Sequence, residues 1–400
     1  SWLRGIAPRV AEAFRALLRG RPAVKWRVGA VQCWELALLA LVLLACGAKR
    51  LEPARVSGIR PLGVDEQAYL AFARSWYESG EFRGPGPVFE HPPLTWAGRA
   101  PGVPALLVPA LWAGGGQQTK ALRFAKGGLL VLSLLTCLGA WALGRRVGGP
   151  AAGLTGAVLY ALNRHAIREV GSLLPDIPSG ALLAVASLAM FKALDARRGS
   201  AALAWWIISG VALGAATLVR PSILFLPLLI IGALLALRGT SWRTKAAHAG
   251  ALAVGTLLLV APWTVRNYVV LHHVVLGGTY SGYNLWLAHS LRARGGERLP
   301  PQVVVLRVLR QYGVRRDDEI AVDRALFQEA LKQMADNLRS QPRDFARLLW
   351  RKARNLVRPH DWADAWVLWL GLFALVLAAR PLRTGLPLLV PVGYWFAVHV

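Results

Sequence analysis

Two neighbouring carboxylates stand at the start of a predicted helix, directly after an apolar run. They are Asp65 and Glu66, in the stretch IRPLGVDEQAYLAFARSWYESGEF that covers 59–82. Carboxylates act as general acids and bases in catalysis, and an ionisable side chain close to a membrane is a functional candidate by default. The alternative is structural, because Asp is also a common N-cap residue at a helix start. The sequence leaves both interpretations of Asp65 open.

An apolar stripe follows the acidic pair on the same predicted helix. Tyr69, Phe72 and Trp76 recur at helical spacing after Asp65. We expect this stripe to lie on the membrane and to hold Asp65 at the lipid boundary. Glu66 lies about 100° further around the helix, so the two acids should have different roles.

Other ionisable residues lie in the same segment or at the ends of apolar runs. They are Glu90 and His91 in VFEHPPLTW, Arg99 in GRAPGVP, Asp176 in LLPDIP, Arg220 in LVRPS, and Arg266 in PWTVRN. Four of them also have a purely structural interpretation. His91 would shape a turn before two prolines, and Asp176 would cap a span. Arg220 and Arg266, at span ends, would extend towards the membrane interface.

Composition restricts the class of protein. Of the 400 residues 55% are hydrophobic and 17% charged, with a formal net charge of +26 and a mean hydropathy of +0.41. A soluble domain does not combine such apolarity with such basicity. The basic residues are spread between apolar runs, which indicates membrane topology and disfavours nucleic-acid binding. We therefore predict an all-α polytopic membrane protein.

About nine apolar runs are candidate membrane spans. They are 32–48, 120–143, 150–164, 177–194, 202–219, 221–237, 246–265, 362–379 and 385–400. Short loops rich in Arg and Lys mark the cytoplasmic side. These loops lie at 145–146, 197–198, 238–245 and 380–383.

This topology divides the chain into four parts. Residues 1–30 form a basic cytoplasmic tail, and 31–265 form a transmembrane module that includes a first outer segment at 49–119. Residues 266–361 form a second outer segment with amphipathic helices. Residues 362–400 form C-terminal spans that stop inside an apolar run, which indicates truncation. Within the first outer segment, 101–115 is short and contains two prolines, so we predict an interfacial helix there.

The last amphipathic helix of the second outer segment is basic. It carries an apolar stripe of Phe345, Leu348, Leu349 and Leu356 among arginines and a lysine. Such a helix suits a membrane surface, and the solvated face of a small domain explains the charges equally well.

An ordered set of motifs resembles a known family. The set comprises DEQAYLAFARSWYESGEF, EHPPL with RAPGVPALLVPAL, LGRRVGGPAAGLTGAVLYAL, SLLPDIPSGALL, GVALGAATLVRPSILFLPLL, APWTVRNYVV with SGYNLWLAHS, and AVDRALFQEAL with PRDFARLLWRKARNL. Over roughly residues 30–400 the chain resembles the phospholipid-carrier-dependent glycosyltransferases of the GT-C superfamily, such as protein O-mannosyltransferases and aminoarabinose transferases. The resemblance implies a GT-C transmembrane module with interfacial or periplasmic helices in both long outer segments.

The resemblance also implies an activity and a place. A sugar would be transferred, with inversion, from a polyprenyl-phosphate-linked donor to a glycan, lipid or protein acceptor. The membrane would be a bacterial inner or plasma membrane, with the active site on its outer, periplasmic face.

The implied site uses residues that match family positions. Asp65 would be the catalytic base, with Glu66 beside it. Glu90, His91 and Asp176 would bind a divalent cation such as Mg²⁺, Mn²⁺, Ca²⁺ or Zn²⁺ that holds the donor phosphate. His91 replaces the family's lysine. The remaining implied contacts are Arg99, Arg220, Arg266 and His91 for the phosphate, and Tyr283 and Asn284 for sugar or acceptor.

Two other functions compete. A flippase or transporter of lipid-linked sugars would show inverted repeats and ionisable residues within spans, and neither is visible in the sequence. A non-catalytic scaffold on the same fold should have lost the acidic pair, which this chain retains. A transferase that uses soluble nucleotide sugars is disfavoured, because no Gly-rich nucleotide loop is present.

Overall fold

The computed structural model describes residues 32–56, 61–86, 94–196, 199–236, 240–289 and 302–357. Glu90, His91, the basic tail and the two predicted C-terminal spans lie outside these ranges. The helices are α1 Cys33–Val56, α2 Val64–Ser79, α3 Gly102–Ala113, α4 Gln118–Leu162, α5 Arg164–Glu169, α6 Asp176–Ala196, α7 Ser200–Val219, α8 Leu226–Ala236, α9 Trp242–Leu271, α10 Ser281–His289, α11 Gln302–Gln311, α12 Glu319–Ser340 and α13 Pro342–Val357. A 3₁₀ turn at Pro221–Ile223 precedes α8, and two short antiparallel strands, β1 Gly84–Pro85 and β2 Leu94–Thr95, form a ribbon.

Helix α4 is a hairpin of two arms. Gly149 has a φ of 79°, which L side chains rarely adopt, and Pro150 follows it. The arms 118–148 and 150–162 then run antiparallel. A Cβ on Gly156 would lie 2.9 Å from the carbonyl oxygen of Ala140, and the hydroxyls of Ser133 and Tyr160 are 3.0 Å apart. The predicted spans 120–143 and 150–164 are thus two separate helices.

Helices α7 and α9 approach each other closely through glycine. A Cβ on Gly210 would meet the carbonyl oxygen of Leu252 at 2.2 Å, and one on Gly255 would meet that of Ile207 at the same distance. Small residues allow this approach of two backbones, a common way to pack membrane helices.

The described helices coincide with all seven predicted spans between 32 and 265. Of these helices, four are long and apolar enough to cross a membrane: α4, α6, α7 and α9. The prediction at 221–237 is less regular than expected, since a 3₁₀ turn precedes the eleven-residue α8. The number of crossings therefore stays a prediction.

Helices outside these candidate spans cover one end of the bundle. Helix α3 has twelve residues, about 18 Å, which is too short to cross a hydrocarbon core of about 30 Å. With α2, the start of α4 and the segment 166–177, it forms one apolar cluster. Helices α10, α11 and α12 form another, which includes Tyr283 and Trp286. The segment 94–99 lies between these two helical groups, as its contacts show.

Candidate active site

The first turn of α2 fixes Glu66 in a structural position. Gly63 is the N-cap, and its backbone N–H donates to Oε2 of Glu66 at 2.7 Å. The other carboxylate oxygen accepts the N–H of Leu173 at 3.0 Å, and the residue is 3% exposed. Because both oxygens bind backbone groups, the structure assigns Glu66 to joining α2 to the segment before α6. The expectation that Glu66 is catalytic stays a prediction beside this structural role.

Asp65 is not the N-cap of α2. The N-cap is Gly63, so the alternative interpretation of Asp65 as a simple cap is wrong. Its side chain is 56% exposed and forms an ion pair with Arg99, whose side chain is only 11% exposed. The guanidinium of Arg99 also lies over two rings, 5.3 Å from the centroid of Tyr69 and 4.5 Å from that of Tyr280. A buried cation thus holds an accessible carboxylate.

A second acid–arginine pair joins two helix ends. Asp176 opens α6, and Arg220 directly follows α7. Nη1 of Arg220 donates to Oδ1 of Asp176 at 2.7 Å, and each side chain is about one-third exposed. Both residues were predicted to lie at the phosphate end of a donor site, and the structure brings them together.

Tyr69 lies among both pairs. Burial raises the pKa of its phenol, the charges of Asp65 and Asp176 raise it further, and those of Arg99 and Arg220 lower it. Because the charges of all four groups act on this one phenol, we group the two pairs with Tyr69. We call these five residues the carboxylate–arginine cluster.

The predicted lipid-facing stripe of α2 packs largely against protein. Phe72 is fully buried, and its ring lies 4.8 Å from that of Phe82. Phe82 in turn contacts Trp76 and Trp263 edge-on. The expectation that this stripe lies on the membrane is wrong for Phe72, which packs against Gly84 of the ribbon and Phe82, whereas Trp76 is 38% exposed.

Glu319, at the start of α12, holds the segment that carries Arg99. Its carboxylate accepts the backbone N–H of Trp96 at 3.1 Å and of Ala97 at 3.4 Å, and the hydroxyl of Thr279 at 3.2 Å. The N–H of Thr279 donates to the carbonyl of Ala97 at 2.8 Å. Burial raises the pKa of Glu319. The second outer segment thereby fixes the backbone just before Arg99.

Arg266 has a structural environment. Its guanidinium donates to the carbonyl oxygens of Trp96 at 2.6 Å and Phe82 at 2.9 Å, and three aromatic rings surround it. These contacts tie α9 to the ribbon. The structure thus gives Arg266 a role in positioning the ribbon, and the expected phosphate contact stays a prediction.

Tyr283 and Asn284 do not line the cluster. Tyr283 is 5% exposed within the apolar core of the second outer segment, whereas Asn284 is exposed. The sugar or acceptor contact expected of these two residues stays a prediction. Tyr280, three residues earlier, supplies the ring over Arg99. Sequence reasoning missed Tyr280 and Glu319 because only tertiary packing brings them to Arg99, although TYSGYN does mark an aromatic-rich turn.

No metal site forms from the residues that the structure describes. In those ranges no three His, Cys, Asp or Glu side chains converge, and Asp176 is bound by Arg220. Glu90 and His91 lie outside the described ranges, so the divalent cation stays a prediction and enters no step below.

Two cavities flank the cluster region. An apolar cavity of about 270 Å³ lies between α3 and the long arm of α4, and Leu174 and Pro178 on either side of Asp176 line its edge. A polar cavity of about 580 Å³ is lined by Arg83, Trp96, His273 and the first turn of α12. The first suits a hydrocarbon chain, and the second suits a polar group.

Solved structures share this arrangement of helices. The archaeal oligosaccharyltransferase AglB from Archaeoglobus fulgidus, in complex with an inhibitory peptide and a dolichol-phosphate, matches with a TM-score of 0.54 at 15% identity. The match covers 92% of this chain and 48% of that one. A family model described as dolichyl-phosphate-mannose-protein mannosyltransferase matches residues 108–265. The chain has the GT-C fold.

The GT-C fold is the extent of what these similarities establish. ArnT from Cupriavidus metallidurans, bound to undecaprenyl phosphate, matches with a TM-score of 0.41 at 17% identity, covering 92% of this chain and 77% of that one. The present chain spans about half the length of AglB. No curated protein matched the sequence. The chain is thus an integral membrane protein with the GT-C fold, and its residues 108–265 match the mannosyltransferase family model.

Proposed function

We propose that the protein is an inverting glycosyltransferase that moves a sugar from a polyprenyl-phosphate donor to an acceptor on the outer face of the membrane. The observation that carries the proposal is the carboxylate–arginine cluster, together with an apolar cavity lined by Leu174 and Pro178, which lie on either side of Asp176 in the sequence. The charges of Asp65, which is exposed, and of Arg220, which is one-third exposed, both shift the pKa of the Tyr69 phenol. The exposed carboxylate suits a general base, and the arginine suits a contact with phosphate.

The apolar cavity supports a lipid-linked donor. Its lining is contributed by α3, the long arm of α4 and the residues around Asp176. A chain of isoprene units in this cavity would bring its phosphate to Asp176 and Arg220. The AglB structure that shares the fold holds a dolichol-phosphate, and the family model describes transferases that use dolichyl-phosphate-mannose.

The chemistry follows from the two ends of the cluster. An acceptor hydroxyl attacks the anomeric carbon on the face opposite the phosphate, which inverts the configuration. The new C–O bond forms as the bond between the anomeric carbon and the phosphate oxygen breaks. Asp65 takes the hydroxyl proton, and the lipid phosphate leaves as a monoester anion. A phosphate leaving group needs positive charge rather than a proton, and Arg220 can supply it.

Arg99 has a supporting part in this scheme. It pairs with Asp65 and is covered by Tyr69 and Tyr280, so it fixes the carboxylate in one direction. A well-held base lowers the entropic cost of reaching the transition state. The polar cavity begins at Trp96, three residues before Arg99, and suits the approach of a polar acceptor.

The outer location rests on the positive-inside rule. The basic loops 197–198 and 238–245 follow the predicted spans 177–194 and 221–237, whose opposite ends carry Asp176 and Arg220. The cluster therefore belongs to the side opposite the basic loops.

The proposal is tested with the purified protein in liposomes. Synthetic polyprenyl-phosphate sugars carrying mannose, glucose, aminoarabinose or N-acetylglucosamine are offered together with total envelope acceptors, and release of polyprenyl phosphate is measured by mass spectrometry. We expect release with at least one donor, and loss of release in Asp65→Asn. Movement of a fluorescent donor between leaflets without release would instead identify a flippase.

A further inference from the structure

Helix α13 carries a basic face that the apolar core does not use. At about 100° per residue, Arg343, Arg347, Trp350 and Arg354 fall within an arc of about 60°, and all four are exposed. Trp350 is 67% exposed at one edge of this arc. We call these four residues the arginine–tryptophan face.

The opposite side of α13 is already occupied. Phe345 and Leu348 are 7% and 3% exposed, and the ring of Phe345 lies near His289 of α10. Phe345 and Leu348, two members of the apolar stripe that the sequence analysis assigned to a membrane surface, thus pack inside the second outer segment. A partner outside this segment would therefore bind to the arginine–tryptophan face of α13.

The charge of α13 selects an anionic partner. The helix holds five basic residues, Arg343, Arg347, Arg351, Lys352 and Arg354, against one acid, Asp344. Asp344 pairs with Arg347 at 3.1 Å, which leaves the other arginines of the face uncompensated by acids of their own helix. An exposed Trp among arginines is the pattern of a helix at the level of lipid headgroups.

The position of α13 in the chain selects a bilayer over a soluble polyanion. The helix ends at Val357, and the apolar run predicted as a span begins at residue 362. Five residues reach at most about 18 Å even when fully extended. With the predicted span 362–379 in the bilayer, the end of α13 would lie within about 18 Å of the membrane surface. We infer that the arginine–tryptophan face docks on anionic phospholipid headgroups of the same bilayer.

The adjoining helix has a matching property. Helix α12, which packs against α13, exposes the apolar side chains of Phe327, Leu331 and Leu338 at helical spacing. An apolar stripe and a basic tryptophan-bearing face on two packed helices suit a unit that rests on a membrane. The inference does not depend on the proposed function, since it concerns only how the second outer segment meets lipid.

The test uses the full chain in nanodiscs. Cys33→Ser removes the exposed cysteine, and a nitroxide is attached at Ala346→Cys, an exposed site beside the face. Collision with oxygen and with a water-soluble nickel chelate reports the depth of the label. The nanodiscs contain phosphatidylcholine alone or a 7:3 mixture with phosphatidylglycerol.

We expect the nickel accessibility to fall when phosphatidylglycerol is present, and the effect to be reversed by high salt. The triple variant Arg343→Ser, Arg347→Ser, Arg354→Ser should lose about 10²- to 10³-fold in the equilibrium between docked and free states. A matched control, Arg307→Ser, Arg310→Ser, Arg339→Ser, removes the same charge from other exposed positions and should behave like the parent.

Three results would overturn the inference. One is equal nickel accessibility in both lipids. Another is an equal loss of docking in the control variant, which would indicate a net-charge effect. The third is protection of the label by a soluble polyanion such as heparin but not by phosphatidylglycerol, which would identify an acidic macromolecule as the partner. Trp350→Ala, which leaves the charge intact, should place the label nearer to water.

Discussion

The guanidinium of Arg99 lies 4.5 Å from the ring centroid of Tyr280 and also pairs with Asp65. Residues from α2, the loop before α3 and the second outer segment therefore meet at one cation. Glu319 reinforces the same junction through the backbone of Trp96 and Ala97. The two outer segments, which are far apart in the sequence, thus determine together where the Asp65 carboxylate points.

Asp65→Asn should abolish turnover while leaving donor binding intact. Loss of a general base typically lowers the rate by about 10²–10⁴. The measurement is sugar transfer in liposomes, with donor affinity determined separately on the same preparations. Glu78→Gln removes a carboxylate from the exposed side of the same helix and serves as the control. Transfer by Asp65→Asn at close to the parental rate would eliminate Asp65 as the base.

Glu66→Ala should mainly lower the stability of the fold. The change leaves the N–H of Leu173 without its acceptor and removes the cap interaction with Gly63, which should lower the free energy of unfolding by about 1–3 kcal/mol. Glu66→Gln retains one acceptor oxygen and should lose less. Thermal unfolding in detergent checks both variants. An unchanged melting temperature in Glu66→Ala, together with lost turnover, would return Glu66 to the reaction.

Arg220→Ala should weaken donor binding rather than the chemical step. A charge-assisted hydrogen bond to phosphate contributes about 1.5–3 kcal/mol, so the donor Kd should rise by about 10- to 100-fold. Titration with a non-transferable polyprenyl phosphate gives the affinity. Arg123→Ala, an exposed arginine near the start of the long arm of α4, is the control. If both variants bind the lipid equally well, Arg220 serves only to pair with Asp176.

The contribution of Glu319 to the free energy of unfolding should fall as the pH rises above about 4.5. Burial raises the pKa of Glu319 above its ordinary value of 4.5, so the folded protein keeps this proton to a higher pH than the unfolded chain does. Unfolding is then linked to proton loss between the two pKa values, and rising pH favours it. Glu319→Gln removes this contribution.

The measurement is the melting temperature of parent and Glu319→Gln between pH 4 and 7. The difference between the two proteins should change across the window that begins near pH 4.5, with the parent losing more as the pH rises. Glu329→Gln, on the same helix, is the control. A constant difference between parent and Glu319→Gln would show that Glu319 titrates alike in the folded and unfolded states.

Thr119→Cys and Ser200→Cys should be labelled from opposite sides. Both residues are exposed. Thr119 lies in the first turn of α4, and Ser200 is the first residue of α7. The neighbouring glycines are poorer probes, since a side chain at Gly114 would meet the backbone of Ala121 and Gly199 has a φ of 89°. In a Cys33→Ser background, an impermeant maleimide added outside should label only Thr119→Cys. Labelling of Ser200→Cys alone would invert the topology.

The membrane helices were predictable from the sequence because hydropathy depends on local composition. Even the reversal at Gly149–Pro150 could be predicted, since arginines and glycines separate two apolar runs there. The 3₁₀ turn at 221–223 was not expected, because a proline at the start of an apolar run is compatible with a regular helix.

The site was predictable only in part. Asp65, Arg99, Asp176 and Arg220 were expected at one site, and the structure gathers them around Tyr69. The roles expected for Glu66, Arg266 and Tyr283 stay predictions. The structural contacts of these residues were not foreseen, because burial arises from contacts between distant segments. Whether Glu66 Oε1 finds the N–H of Leu173 or a substrate is a matter of tertiary packing that no local pattern records.

The length of the long arm of α4 indicates how deep in the membrane the proposed reaction would take place. Helix α6 runs parallel to it, with Gly180 beside Thr136 and Gly139 beside Ala184, so Asp176 is level with about residue 132. From that level to the end of the arm at residue 148 is at most about 24 Å, against a hydrocarbon thickness of about 30 Å. The donor phosphate would then be drawn below the average plane of its neighbouring headgroups, so the bilayer must thin or bend around the site. Acyl-chain length thereby becomes a determinant of turnover, because it sets how far each donor must sink to react.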